Sequence, residues 1–163
     1  MAKEKKSCLA ELKKEYEILQ KKHNLPSFKE LNEEFSVEKV TEVETDYLLR
    51  EMRRYIADKI SNYMRLVETM LNPVNAPMSV FSMIKTLGTS DKKLLLEAYK
   101  KMVEIEIKLM KIDIEYSEKG EAEFIKFVFD SWQEIKKKII DVAGTIEKNI
   151  DNKFENSNKG YFG

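Results

Sequence analysis

The chain has 163 residues, close to the ~150 of one domain, and its 29 basic and 29 acidic side chains cancel. Zero net charge excludes a protein that coats nucleic acid or membrane through overall charge alone. Charged residues reach 36% with only 5 Gly and 3 Pro, a helical composition, and 42% hydrophobic content is enough for a packed core.

In chain order, Leu9, Leu12, Tyr16 and Leu19 share one stripe of a helix spanning about residues 3–22. His23-Asn24-Leu25-Pro26 stops that helix, and Ser27-Phe28-Lys29-Glu30 reads as a capping box opening a short second one. Thr41-Glu42-Val43-Glu44 reads as another capping box, opening a long helix that Pro73 ends. The Pro-containing turn at 72–77 leads into a short helix running to Leu87, whose stretch Met78 to Ile84 is apolar on nearly all sides and is read as deeply buried or else as a docking surface. Gly88 is then expected as its C-terminal stop, with Thr89 or Ser90 capping the next long helix.

Residues 103–116 alternate like a strand, but the phase slips at Leu109-Met110 and the flanks lack hairpin chemistry. Read as helix, the stretch carries two stripes, Met102, Ile105, Leu109, Ile112, Tyr116 and Val103, Ile107, Met110, Ile114. Such a helix is expected to touch neighbours on two sides. One helix running on through Gly120 would be a rod roughly 90 Å long, so an αα-hairpin turning at Gly120 is expected instead. The last long helix carries Phe124, Ile125, Val128, Trp132, Ile135, Ile139, Val142, Ile146 and Ile150 on one face. The sequence thus predicts an all-α, up-and-down helical bundle with three long helices, short connecting helices and an N-terminal helix. Its expected divisions are an N-terminal helix and turn at 1–26, the bundle at 27–150, and a frayed polar tail at 151–163.

The runs Leu25-Pro26-Ser27-Phe28-Lys29-Glu30-Leu31 and Glu44-Thr45-Asp46-Tyr47-Leu48-Leu49-Arg50-Glu51-Met52-Arg53-Arg54 carry a resemblance. They resemble a group of small archaeal all-helical proteins. The resemblance implies an archaeal source and a helical fold, and it brings no activity, cofactor or site residue.

Chemistry-bearing residues are sparse. A ferritin-like metal core needs two Glu-x-x-His motifs, and His23 is the sole histidine, which leaves only an all-carboxylate site open. Cys8 is the single cysteine, read as a half-buried packing residue, and there is no Gly-rich phosphate loop, G-x-S-x-G or zinc-ligand spacing. No catalytic residue, metal or cofactor is expected. The eight methionines, Met64, Met70, Met78 and Met83 among them, read as gap filling rather than a ligand pocket.

All four arginines fall on one helix, and Arg50, Arg54 and Arg65 project to one polar side about 60° wide. Arg suits bidentate phosphate and carboxylate contacts, so this face is a candidate for an anion-rich partner, the alternative being a solvated face paired with Glu51, Asp58 and Glu68. Glu106 and Asp113 fall between the two apolar stripes of their helix, while Lys59, Arg53 and Lys136 fall within or beside apolar arcs of theirs. With the hairpin turning at Gly120, residue 106 lies level with about residue 134. An inter-helix ionic cluster of Glu106 and Asp113 with Lys136, Lys59 or Arg53 is therefore expected, structural in role.

The sequence therefore points to a non-catalytic interaction or scaffold module in the cytoplasm. It would bind a protein partner or a second copy, with Leu9, Leu12, Tyr16 and Leu19 as one contact stripe or else folded back on the chain. The alternative is a nucleic-acid-associated factor using the Arg50, Arg54 and Arg65 face, and an enzyme or ligand binder with an acid-lined pocket comes third. No membrane association is expected, since no apolar run approaches the ~20 residues of a spanning helix.

Overall fold

The structure, a computed structural model, describes residues 2–42, 45–74 and 76–159, with side chains of all but 2–8, 42, 79 and 152–159. The Cys8 side chain and most of the expected 41–44 capping box therefore lie outside what is described. The chain is an all-α helical bundle of packed helices: α1 Ala2–His23, α2 Phe28–Phe35, α3 Leu48–Leu71, α4 Met78–Ile84, α5 Thr89–Ile114 and α6 Glu118–Lys159. A 3₁₀ turn, Val37–Glu42, joins α2 to the approach of α3. No helix among the described residues is long and apolar enough to cross a membrane.

Helix ends follow from local hydrogen bonds. Ser27 and Glu30 form the expected capping box, Glu30 N–H donating to Ser27 Oγ at 3.2 Å and Ser27 N–H to Glu30 Oε2 at 2.8 Å. Hydrogen bonding from the Ser27 side chain, and then from the Ser27 backbone N–H, holds the Glu30 carboxyl below its ordinary pKa. Three expected boundaries move. Thr41 opens no long helix: it sits in the 3₁₀ turn with its hydroxyl donating to the Glu38 carbonyl, and α3 begins at Leu48. Gly88 opens α5 instead of closing α4, its N–H donating to Asp91 Oδ2 at 2.9 Å and its carbonyl accepting from Lys92 N–H. The hairpin between α5 and α6 turns at residues 115–117, because the Ser117 hydroxyl caps α6 by accepting from Gly120 N–H at 3.0 Å. Gly120 lies inside the first turn of α6, where a Cβ would stand 2.8 Å from Ser117 Oγ.

The chain folds as two compact units, Met1–Ser61 with Glu104–Ser131, and Asn62–Val103 with Trp132–Gly163. Contacts therefore do not divide at residue 26 as expected. In the first unit α1 packs on α2 and the 3₁₀ turn, burying Leu12 and Tyr16. Tyr16 OH donates to the Pro26 carbonyl at 2.7 Å, and its ring meets Phe28 edge-on. Leu31, Phe35, Met52, Ile56, Ile105, Phe124, Ile125 and Val128 complete that core. In the second unit the core holds Val67, Leu95, Met102, Trp132, Ile135 and Val142, with Tyr63 against Trp132 at 5.2 Å. Lys138 there bridges Glu97 at 2.7 Å and Glu134 at 2.9 Å.

Two further expectations change. The short helix α4 is buried on one side only: Ile84 is buried, while Met78 and Phe81 face outward. The expected tail from Asp151 is helical as far as Lys159, since no Gly or Pro interrupts the backbone ladder before Gly160.

Candidate functional site

Part of the expected ionic cluster, Arg53 with Asp113, forms in the first unit, with Glu121 added and Glu106, Lys59 and Lys136 placed elsewhere. Arg53 of α3 reaches Asp113 of α5 at 2.9 Å and Glu121 of α6 at 2.6 Å. Arg53 and Glu121 are buried, and the Arg53 Nε–Glu121 approach is an ion pair without an aligned hydrogen bond. Burial pushes the Glu121 carboxyl above its ordinary pKa, opposed by Arg53 and reinforced by the second carboxylate of Asp113.

The shift of the hairpin from Gly120 to residues 115–117 explains the change of partners. With that turn, residue 106 lies level with about residue 126 rather than 134. Lys108 Nζ accordingly stands 4.4 Å from the centroid of the Phe127 ring. Glu106 instead accepts from Ser61 Oγ at 2.6 Å, and Lys59 Nζ donates to the Glu34 carbonyl beside the Phe35 ring. Lys136 belongs to the second unit. Glu121 was legible only as a first-turn acid of the last helix. Its Ser-x-x-Gly cap at 117–120 was the signal that would have moved it into the cluster.

Above Arg53 lies an open depression of about 560 Å³ that includes Arg50, Arg54, Glu51, Asp58 and Asp113 in its lining. Its three guanidiniums, Arg53 included, face three carboxylates, so it carries no net positive charge. Arg54 pairs with Glu51 at 3.2 Å, as the solvated-face alternative requires. The Arg50 guanidinium stacks over Tyr116 at 5.6 Å, and Tyr116 meets Tyr47 edge-on at 5.5 Å. Arg65 is exposed in the second unit and does not line the depression. The structure therefore brings Arg50 and Arg54 together and leaves Arg65 out.

The α1 stripe takes the folded-back alternative. Leu12 and Tyr16 are spent within the chain, and Leu9 and Leu19 are only half-buried beside them, so no continuous docking stripe remains. Also in the first unit, His23 Nε2 and Lys22 Nζ meet Glu118 Oε1 at 2.6 and 2.8 Å. These two bonds hold the Glu118 carboxyl below its ordinary pKa.

One apolar surface that stays open is a stripe the sequence reading assigned to a neighbour. On α5 the inner stripe is covered, Ile105 buried with Leu109 and Ile112 half-buried. The outer stripe is half-buried at Val103 and open beyond it: Ile107, Met110 and Ile114 are 50%, 63% and 80% exposed. Among the described residues no group of three or more His, Cys, Asp or Glu side chains is placed to hold a metal ion. Comparison of the chain with known protein families, curated proteins and solved structures finds no match.

Proposed function

We propose that this protein is a non-catalytic interaction module whose contact surface is the outer face of α5. The observation that carries the reading is the exposure of Ile107, Met110 and Ile114 on two successive turns of one helix. Apolar side chains in a row on an otherwise charged surface mark a site that another surface covers. A cytoplasmic location and a protein partner belong to the same proposal.

The test is affinity capture with wild type and with Ile107→Glu/Ile114→Glu, scored for both protein and nucleic acid. Both positions are exposed, so the variant keeps its helicity and melting temperature while losing its partner. Retention of every captured protein by the variant would overturn the reading.

A second reading, binding of nucleic acid, is favoured by one observation: Arg50 is exposed and has no ion pair among the described residues. A salt-dependent mobility shift with RNA or DNA that Arg50→Ala abolishes would establish it.

A further inference from the structure

We infer that the partner on α5 is a second copy of this chain, docked in parallel through the same face. The inference depends on the interaction reading above and names the occupant of that surface. Ile107, Met110 and Ile114 recur at spacings of three and four, the a, d, a positions of a heptad. Positions c and f of the same heptad are Leu109 and Ile112, which the chain covers itself. The two apolar faces of α5 therefore do separate work, one closing the core and one forming a seam.

Residue types along the seam select its mate. Both a positions are β-branched Ile, the residue type that parallel two-stranded seams place there, and unbranched Met110 fills d between them. The flanking g positions are Glu106 and Asp113, and the e position is Lys111. In a parallel pair, g of one helix faces e of the following heptad on its mate, which sets Glu106 against Lys111 of the second copy. Glu106 holds Ser61 through Oε1, which leaves its second oxygen to meet that lysine in the pair. In an antiparallel pair g faces g, and Glu106 would meet Asp113 of the mate, two acids across a seam. One surface thus complements itself in the parallel arrangement alone, as a two-fold axis along the helix requires.

The experiment combines light scattering over a concentration series with disulfide trapping in a Cys8→Ser background. The expected wild type is a concentration-dependent dimer, reduced to monomer by Ile107→Glu. Lys111→Glu is expected to weaken dimerisation roughly tenfold, with Glu106→Lys added to it restoring most of the loss. Ile107→Cys and Ile114→Cys should each cross-link with itself, the signature of a parallel register.

Three outcomes overturn the inference: a wild type monomeric at all concentrations, a dimer that survives Ile107→Glu, or an Ile107→Cys variant that cross-links only when mixed with Met110→Cys, the a-against-d contact of an antiparallel seam. If a monomeric wild type still captures a different protein and Ile107→Glu loses it, the interaction reading stands and the second copy falls. Failure of both measurements removes both.

Discussion

Arg53 Nε lies 2.6 Å from Glu121 Oε2, and the two side chains are 5% and 1% exposed. Asp113, on α5, takes the other side of the same guanidinium but keeps 54% of its side chain in solvent. One buried cation thus holds α3 to both arms of the α5–α6 hairpin. Taking either charge away alone strands its mate in a poor solvent for ions, whereas taking both leaves a site that an apolar pair can fill.

Arg53→Met alone is therefore expected to cost about 3–5 kcal/mol, with Glu121 left buried and unpaired. The double variant Arg53→Met/Glu121→Met is expected to be more stable than either single one, because solvent-exposed Asp113 needs no partner. Urea unfolding of the four proteins in a double-mutant cycle measures this. Additive losses would show that the pair contributes no coupling.

Acidity should act on Glu121 and Glu118 in opposite directions. Burial raises the folded Glu121 pKa, so the folded state binds the extra proton and stability at this site increases as pH falls toward the unfolded value of about 4.3. That contribution is lost as pH rises through the folded pKa. Lys22 and His23 lower the folded Glu118 pKa, so its contribution is present above the unfolded value and lost as pH falls through the folded one. The stability of wild type relative to Glu121→Gln should grow on acidification from neutral pH, and that relative to Glu118→Gln should shrink. Denaturant titrations across that range check both signs.

The α6 cap predicts an unusual response to glycine replacement. Ser117→Ala should cost about 1 kcal/mol through loss of the N-cap acceptor. Gly→Ala inside a helix ordinarily gains up to about 1 kcal/mol. At Gly120 the new Cβ would stand 2.8 Å from Ser117 Oγ, so the hydroxyl must leave its cap and the gain should vanish. In the Ser117→Ala background the clash with Oγ is gone and Gly120→Ala should stabilise. Thermal melts of the two singles and the double decide it.

Glu106→Ala is expected to cost only about 1 kcal/mol, the worth of one hydrogen bond from Ser61 Oγ, with no stranded charge. A loss near 3 kcal/mol would mean that Glu106 is held by a buried cation, as the Gly120 hairpin would have required. Chemical denaturation beside Ser61→Ala, which removes the same bond, makes the comparison.

Much of the architecture is written locally and could be read from spacing alone. The periodicity of α3, α5 and α6, the capping box at Ser27 and Glu30, and the stop at Pro73 depend on residues within a turn or two of one another. The same holds for Arg53 and Asp113 as charges placed among apolar positions, which must find partners wherever the helices go. Tertiary structure decided what those local rules leave degenerate. Ser117 and Gly120 both punctuate the α5–α6 junction, and a difference of a few residues in the turn replaces Lys136 by Glu121 as the nearby charge, because each residue of shift moves opposing helices by twice its rise. Whether Leu12 and Tyr16 met α2 or a partner, and which of two apolar stripes on α5 faced inward, depended on surfaces far apart in the chain. Periodicity shows that a face must be covered; only the packed fold shows that Ile105 is covered and Ile107 is not.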